Sequence, residues 1–167
     1  MGASITIKDG YVQASLKNNL KPINYKLNFP SVGVTHFFLM MSSLVEGESI
    51  LRNAAMEPEV ISLAKMLNKM GAHITGYGTN KIIVKGCSYL KGIDIISPPD
   101  RIEAGTYALA LAATGGKMKL NSISIKEIET LRDVLENTDV DIKSYKNSIE
   151  LIKKNRIIQP TDIETKP

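Results

Sequence analysis

From Ile23 to Phe29 apolar and polar positions alternate, with Ile23, Tyr25, Leu27 and Phe29 set against Asn24, Lys26 and Asn28. A period of two predicts a strand with one buried face. The period then changes. Val34, Phe37, Phe38, Met41, Leu44 and Val45 recur at spacings of three and four, predicting an amphipathic helix, and Gly47 stands where a left-handed C-terminal cap is wanted. A short strand is expected from Ser49 to Arg52. A second helix begins at Glu57-Pro58, with proline in the first turn, where a missing N–H is harmless, and with Val60, Leu63, Ala64 and Leu67 on one face. Gly71 ends it. His73 to Thr75 and Lys81 to Val84 then read as a hairpin turned by Gly76-Tyr77-Gly78-Thr79-Asn80.

The same order returns later. A shift of 68 residues superposes Pro30 on Pro98, Gly47 on Gly115, Asn53 on Asn121, Glu59 on Glu127, Leu63 on Leu131, Ile74 on Ile142 and Tyr77 on Tyr145. The second copy predicts strands near 93–96 and 118–121, helices near 101–114 and 126–137, and a hairpin at 141–152. Asp100 with Glu103, and Ser124 with Glu127, have capping-box spacing. Both ends resemble parts of the same unit. Met1-Gly2-Ala3-Ser4-Ile5-Thr6 reads almost as Met70-Gly71-Ala72-His73-Ile74-Thr75, and Pro160 to Pro167 resembles Pro22 to Phe29. The expected organisation is a terminal hairpin of a truncated unit at 1–20, turned by Asp9-Gly10, a first βαβαββ unit at 21–97, a second at 98–155 and the start of another at 156–167. This is an α/β (α+β) chain of about two complete units plus partial ends.

Composition narrows the function classes. The 167 residues are 43% hydrophobic, enough for a core. No apolar run reaches the roughly 18 residues that would span a bilayer, and Met1 to Gly10 lacks the basic-then-apolar pattern of a signal peptide, so no membrane partner and a cytoplasmic location are expected. Cys87 stands alone and, with only His36 and His73, makes no zinc signature, so neither a metal nor a cofactor is assigned. The net charge of +4 favours anionic partners mildly. A small basic nucleic-acid-binding or interaction module is the alternative reading. Scattered lysines and few aromatic residues speak against it.

Candidate chemistry concentrates where the first strand meets its helix, at Phe29, Pro30, Ser31, Val32 and Gly33. Ser31 is a natural N-cap, and the backbone N–H groups after it, with the helix dipole, suit a phosphate or diphosphate. The same serine could simply cap its helix. Glu57 and Glu59 could face a cleft or complement a helix dipole, and Asp100 has the same double reading as a cap. His36 reads as a rim or core histidine. Gly-rich phosphate loops, the dinucleotide-binding glycine pattern and the nucleophile elbow are all absent from the sequence.

Together the segments Asp9-Gly10-Tyr11-Val12, Phe29 to Thr35, Asn53-Ala54-Ala55-Met56-Glu57-Pro58-Glu59, Gly76-Tyr77-Gly78-Thr79 and Pro99 to Thr106 make the chain resemble the UDP-N-acetylglucosamine enolpyruvyl transferases, or carboxyvinyltransferases. The resemblance covers nearly the whole length. It implies a two-lobed inside-out barrel of six such units closing over UDP-N-acetylglucosamine and phosphoenolpyruvate, with 21–97 in the sugar-nucleotide lobe and 98–155 in the opposite one. It also implies that the segment Phe29 to Val32 contacts the nucleotide sugar and that Glu57 and Asp100 lie toward the cleft. Met56 departs from the family, which commonly has arginine there. The family's early Lys-Asn pair, acid cysteine and arginine clamps find no match, its base-bearing aspartate would follow Pro167, and Cys87 is not the acid cysteine.

The resemblance therefore implies a partial transferase of peptidoglycan synthesis. It would keep part of the UDP-sugar subsite, have no catalytic residue assigned and be inactive alone, with a complementary fragment as a possible partner.

Overall fold

The computed structural model describes residues 1–154 and 162–163. The expected resemblance of Pro160 to Pro167 to a strand start lies almost wholly outside them. Two compact units form, Met1–Ile96 and the segment from Ser97 on.

The first unit opens with an antiparallel hairpin, β1 (Ser4–Lys8) and β2 (Tyr11–Ser15), paired from Ser4 with Ser15 to Lys8 with Tyr11. Asp9 and Gly10 turn it with φ of 53° and 80°, the left-handed pair that a two-residue type I′ turn requires. Next come β3 (Asn24–Lys26), α1 (Val32–Ser42), β4 (Glu48–Arg52), α2 (Pro58–Met70), β5 (His73–Thr75) and β6 (Lys81–Lys85). Their sheet has the order β3-β4-β6-β5, with β3 parallel to β4 and the other pairs antiparallel. The helices cover one face of it. Phe38 and Leu39 of α1 and Val60, Ala64 and Leu67 of α2 share a core with Leu51, Ile74, Ile82 and Val84 of the strands.

Several boundaries differ from the sequence pattern. β3 is short, and Tyr25 and Phe29 are exposed; of the alternating set only Leu27 is buried, with Ile23 partly so. The buried stripe of α1 is Thr35, Phe38, Leu39 and Ser42, whereas Val34, Phe37 and Leu44 face outward. A helix that is apolar all round gives periodicity no phase to report, and here buried threonine and serine set the inner face. Gly47 does not cap α1. The cap is Ser43, and Gly47 (φ 105°) turns the chain into β4. Gly71 does end α2 in the left-handed region, at φ 114°.

The second unit has α3 (Arg101–Thr114), β7 (Gly116–Asn121), a 3-10 turn (Ile125–Ile128), α4 (Glu129–Asn137), β8 (Asp141–Tyr145) and β9 (Ser148–Lys153), with strand order β7-β9-β8. Ala108, Leu111, Ile128, Leu135, Ile149 and Leu151 form its core. The strand expected near 93–96 does not form, so the sheet has three strands where the first unit has four. In the first unit Ile23 N–H donates to the buried hydroxyl of Ser49 (3.2 Å), which pins the start of β3. The position matching Ser49 is Lys117, whose amine is engaged instead by Glu150 at 2.8 Å. Leu90 packs on the first core and Lys91 N–H donates to Met70 O, so the residues that would lead into the strand are already held elsewhere.

Candidate functional site

Parallel pairing of β3 and β4 brings two loops to one end of the first sheet. Lys26 and Arg52 are the last register pair, and the chain leaves both strands on the same side. One loop is 27–31, running into α1; the other is 53–57, running into α2. The carboxyl end of parallel strands is where such folds gather ligand-binding loops.

Hydrogen bonds tie the two loops together. Leu27 N–H donates to Arg52 O (3.0 Å), and the Asn53 side-chain amide donates to Leu27 O (3.0 Å). Asn53 is in the left-handed region at φ 57°, a conformation asparagine tolerates better than most residues. Thr35, fully buried, donates its hydroxyl to Ser31 O (2.7 Å) and accepts from Ala55 N–H (3.1 Å). Phe29 to Gly33 and Glu57 are thus brought to neighbouring loops. Sequence reasoning missed Thr35 and Asn53 as the cross-ties, although an asparagine between a strand and a proline-started helix is a recognisable left-handed position.

Ser31 caps α1 in extended geometry (φ −142°, ψ 119°), accepting from Val34 N–H at 3.4 Å. Thr35 N–H takes Ser31 O. The amides of Val32 and Gly33 therefore have no acceptor among the described residues, and the space beside the Gly33 α-carbon is open to 4 Å. Phe29 is 72% exposed at the same helix start. Glu57 is the N-cap residue of α2 but makes no side-chain capping bond, and its buried Oε2 has no hydrogen-bond partner among the described residues. His36, one turn into α1, likewise has a buried Nε2 without a partner. Two open amides, a helix dipole and the Lys26–Arg52 pair make this sheet end suited to an anion.

Asp100 belongs to the second unit. Its Oδ1 accepts from both Ile102 N–H and Glu103 N–H at 2.9 Å, capping α3. It lines a groove of about 310 Å³ with Glu103, Tyr107, Lys119 and Asn121. Of the two expected capping boxes, the one at Ser124 forms, with Glu127 Oε2 accepting from Ser124 N–H (3.0 Å) and from its hydroxyl. The Ser124 hydroxyl bond holds the Glu127 carboxyl below its ordinary value. A separate hollow of about 710 Å³, lined by Leu16, Leu20, Met40, Met41, Leu44 and Glu46, is mainly apolar on its α1 side and contains none of the candidate residues. Among the described residues no group of histidine, cysteine or acidic side chains could hold a metal, and no helix is long and apolar enough to cross a membrane. Cys87 is a free thiol whose single S–H lies within reach of two carbonyl oxygens, Ser43 O (3.3 Å) and Tyr89 O (3.2 Å).

The family model for EPSP synthase (3-phosphoshikimate 1-carboxyvinyltransferase) matches residues 1–167. UDP-N-acetylglucosamine 1-carboxyvinyltransferases of Brucella ovis and Brucella suis are each 41% identical over all 167 residues, the whole of this chain and 39% of the relative. Among solved structures, the enolpyruvyl transferase NikO from Streptomyces tendae aligns with a TM-score of 0.77 at 17% identity, over 95% of this chain and 41% of that one. An EPSP synthase from Acinetobacter baumannii aligns with a TM-score of 0.60 at 24% identity, over 92% of this chain and 37% of that one. These two show a shared mixed α/β fold. The chain spans about two-fifths of the length of the relatives it matches. A family match from the first residue to the last, over elements whose order the structure reproduces, places this chain in the EPSP synthase family of enolpyruvyl transferases.

Proposed function

We propose that this chain is a segment of a UDP-N-acetylglucosamine enolpyruvyl transferase of peptidoglycan synthesis, that it supplies part of the UDP-sugar subsite, and that it does not carry out transfer by itself. The observation that carries the reading is the 41% identity across the whole chain to enzymes of that name. The open helix start at Ser31 supports the subsite. In this reading the diphosphate meets the Val32 and Gly33 amides, Lys26 and Arg52 add long-range attraction, and exposed Phe29 and Pro30 border the nucleotide. Glu57 serves this ligand from the α2 start, Asp100 is a substrate-binding residue of the second unit, and phosphoenolpyruvate is the second substrate of the complete enzyme.

Addition of the sugar hydroxyl across an enolpyruvyl double bond, followed by loss of phosphate, requires a proton donor, a base and cations on the carboxylate and phosphate. The family's acid cysteine and arginine clamps have no match in this sequence. Binding without turnover is therefore the expected behaviour. Calorimetry with UDP-N-acetylglucosamine should register heat in the millimolar range, weakened several-fold by Ser31→Ala. No heat from folded protein overturns the subsite, and phosphate release from phosphoenolpyruvate by the purified chain overturns the inactivity.

A further inference from the structure

Register across the β3-β4-β6-β5 sheet sorts its residues onto two faces. Leu51, Ile74, Ile82 and Val84 enter the core under the helices, so the residues that alternate with them point outward. Three of those outward residues are cations standing in one row: Lys26 of β3 pairs with Arg52 of β4, and Arg52 pairs with Lys81 of β6. All three are exposed, and none forms an ion pair among the described residues. Beside the row Ile50 pairs with Ile83, both half-buried. The outward carboxylate of these strands is Glu48, opposite Lys85 at the other end of β4, roughly 13 Å along the strand from Arg52.

The sheet of the second unit arranges its outward charges differently. Glu150 of the central strand β9 lies opposite Lys119 on one side and Lys143 on the other, and its Oε1 takes the Lys117 amine at 2.8 Å. Opposite charges facing each other across strands stabilise a sheet, and like charges destabilise it. The first sheet therefore carries, in Lys26, Arg52 and Lys81, a repulsion that no carboxylate of its own strands relieves.

We propose that this row is the interaction surface for an acidic amphipathic helix of a partner protein, laid across the strands with three successive carboxylates of one helix face on Lys26, Arg52 and Lys81 and with apolar side chains over Ile50 and Ile83. Spacing and chemistry choose the occupant. Adjacent strands are about 4.8 Å apart and helix residues four apart about 5–6 Å, so one carboxylate falls to each cation, and the length of the lysine and arginine side chains takes up the remainder. Arg52, in the middle, can meet a carboxylate with two N–H groups at once. A single-stranded nucleic acid calls for stacking platforms, and the outward positions of these four strands hold no phenylalanine, tyrosine or tryptophan. An anionic membrane calls for apolar side chains that insert, whereas Ile50 and Ile83 are half-buried in the sheet. Lys81 has no part in the Ser31 subsite, so the surface goes beyond the proposed function and failure of nucleotide binding leaves it standing.

Fluorescence anisotropy at low ionic strength tests it, with the full chain and a labelled helical peptide that carries glutamates every fourth residue on one face and leucines on the stripe beside them. This peptide should bind at least about 5-fold more tightly than one of the same composition with its glutamates spread round the helix. Arg52→Gln with Lys81→Gln should weaken binding about 5-fold, as loss of two exposed ion pairs does, and should leave the melting temperature no lower, because a repulsion has been removed. Lys119→Gln with Lys143→Gln removes the same charge from the second sheet and should change binding less than about 2-fold. Equal binding of the two peptides overturns the proposal, and so does an equal loss in the two variants, which would leave bulk charge alone. A lower melting temperature for Arg52→Gln with Lys81→Gln overturns it by giving the row a structural purpose. Tighter binding of an oligothymidylate or of phosphatidylglycerol vesicles, lost in that same variant, overturns it in favour of a nucleic acid or a membrane.

Discussion

The starts of α1 and α3 hold matching places in the repeat and treat their free amides in opposite ways. Ser31 takes a single amide, at 3.4 Å, and brings no charge. Asp100 takes two, both at 2.9 Å, and sets a carboxylate on the helix end. One start is left open to an anion; the other already has one, covalently attached. A repeat can thus keep its fold while assigning different work to equivalent positions, because a cap can be fully formed or deliberately incomplete at a cost of only about 1 kcal/mol.

The largest expected effect asks whether the four-stranded and three-stranded sheets depend equally on their cores. Leu51, buried at the centre of the first sheet, should lose about 2–5 kcal/mol of stability as Leu51→Ala, seen as a lower denaturation midpoint for the first unit. Next is the anchor that distinguishes the sheets. Ser49→Ala removes the acceptor of Ile23 N–H and should cost about 1–2 kcal/mol, with faster amide exchange confined mostly to Asn24–Lys26, making the first sheet resemble the second. A normal exchange pattern there would show that parallel pairing alone holds β3.

The caps come third. Asp100→Ala should destabilise α3 by about 1 kcal/mol and Ser31→Ala destabilise α1 by less, as read by urea midpoints; a reversed order would break the contrast between full and partial caps. The smallest effect is in pH. Glu127 has its carboxyl lowered by the Ser124 hydroxyl bond, so its contribution is present above the ordinary glutamate value of 4.5 and is lost as pH falls through the lower folded value. Glu127→Gln should flatten that acid limb in the second unit.

Much of this was readable from residues alone. The Asp9-Gly10 turn, the Glu57-Pro58 helix start, the Gly71 stop and the span of α3 each rest on local chemistry that neighbouring residues determine. What escaped was set by distant partners. On the inner face of α1 Thr35 bonds to Ala55, and the start of β3 bonds to Ser49, in each case a partner about twenty or more residues away. The segment 93–96 has an apolar pattern but forms no strand, with Leu90 and Lys91 just before it held to the first unit. At the candidate site, the Ser31 cap was legible, but the cross-ties of Asn53 and Thr35 became visible only once β3 and β4 lay side by side.

The Asp9-Gly10 turn has a further consequence, in time and not in space. Ser4 and Ser15 meet by closing a short loop, an event of about 1–10 μs, whereas β3 cannot meet β4 until all of α1 and the turn after it have been made. Synthesis runs from β1 toward β4, so the hairpin is complete before β3 has a strand to pair with. Its strands are joined by neighbours in sequence, while the core around Leu51, Ile82 and Val84 waits on residues far apart in the chain, so the two sheets of this unit form on different clocks.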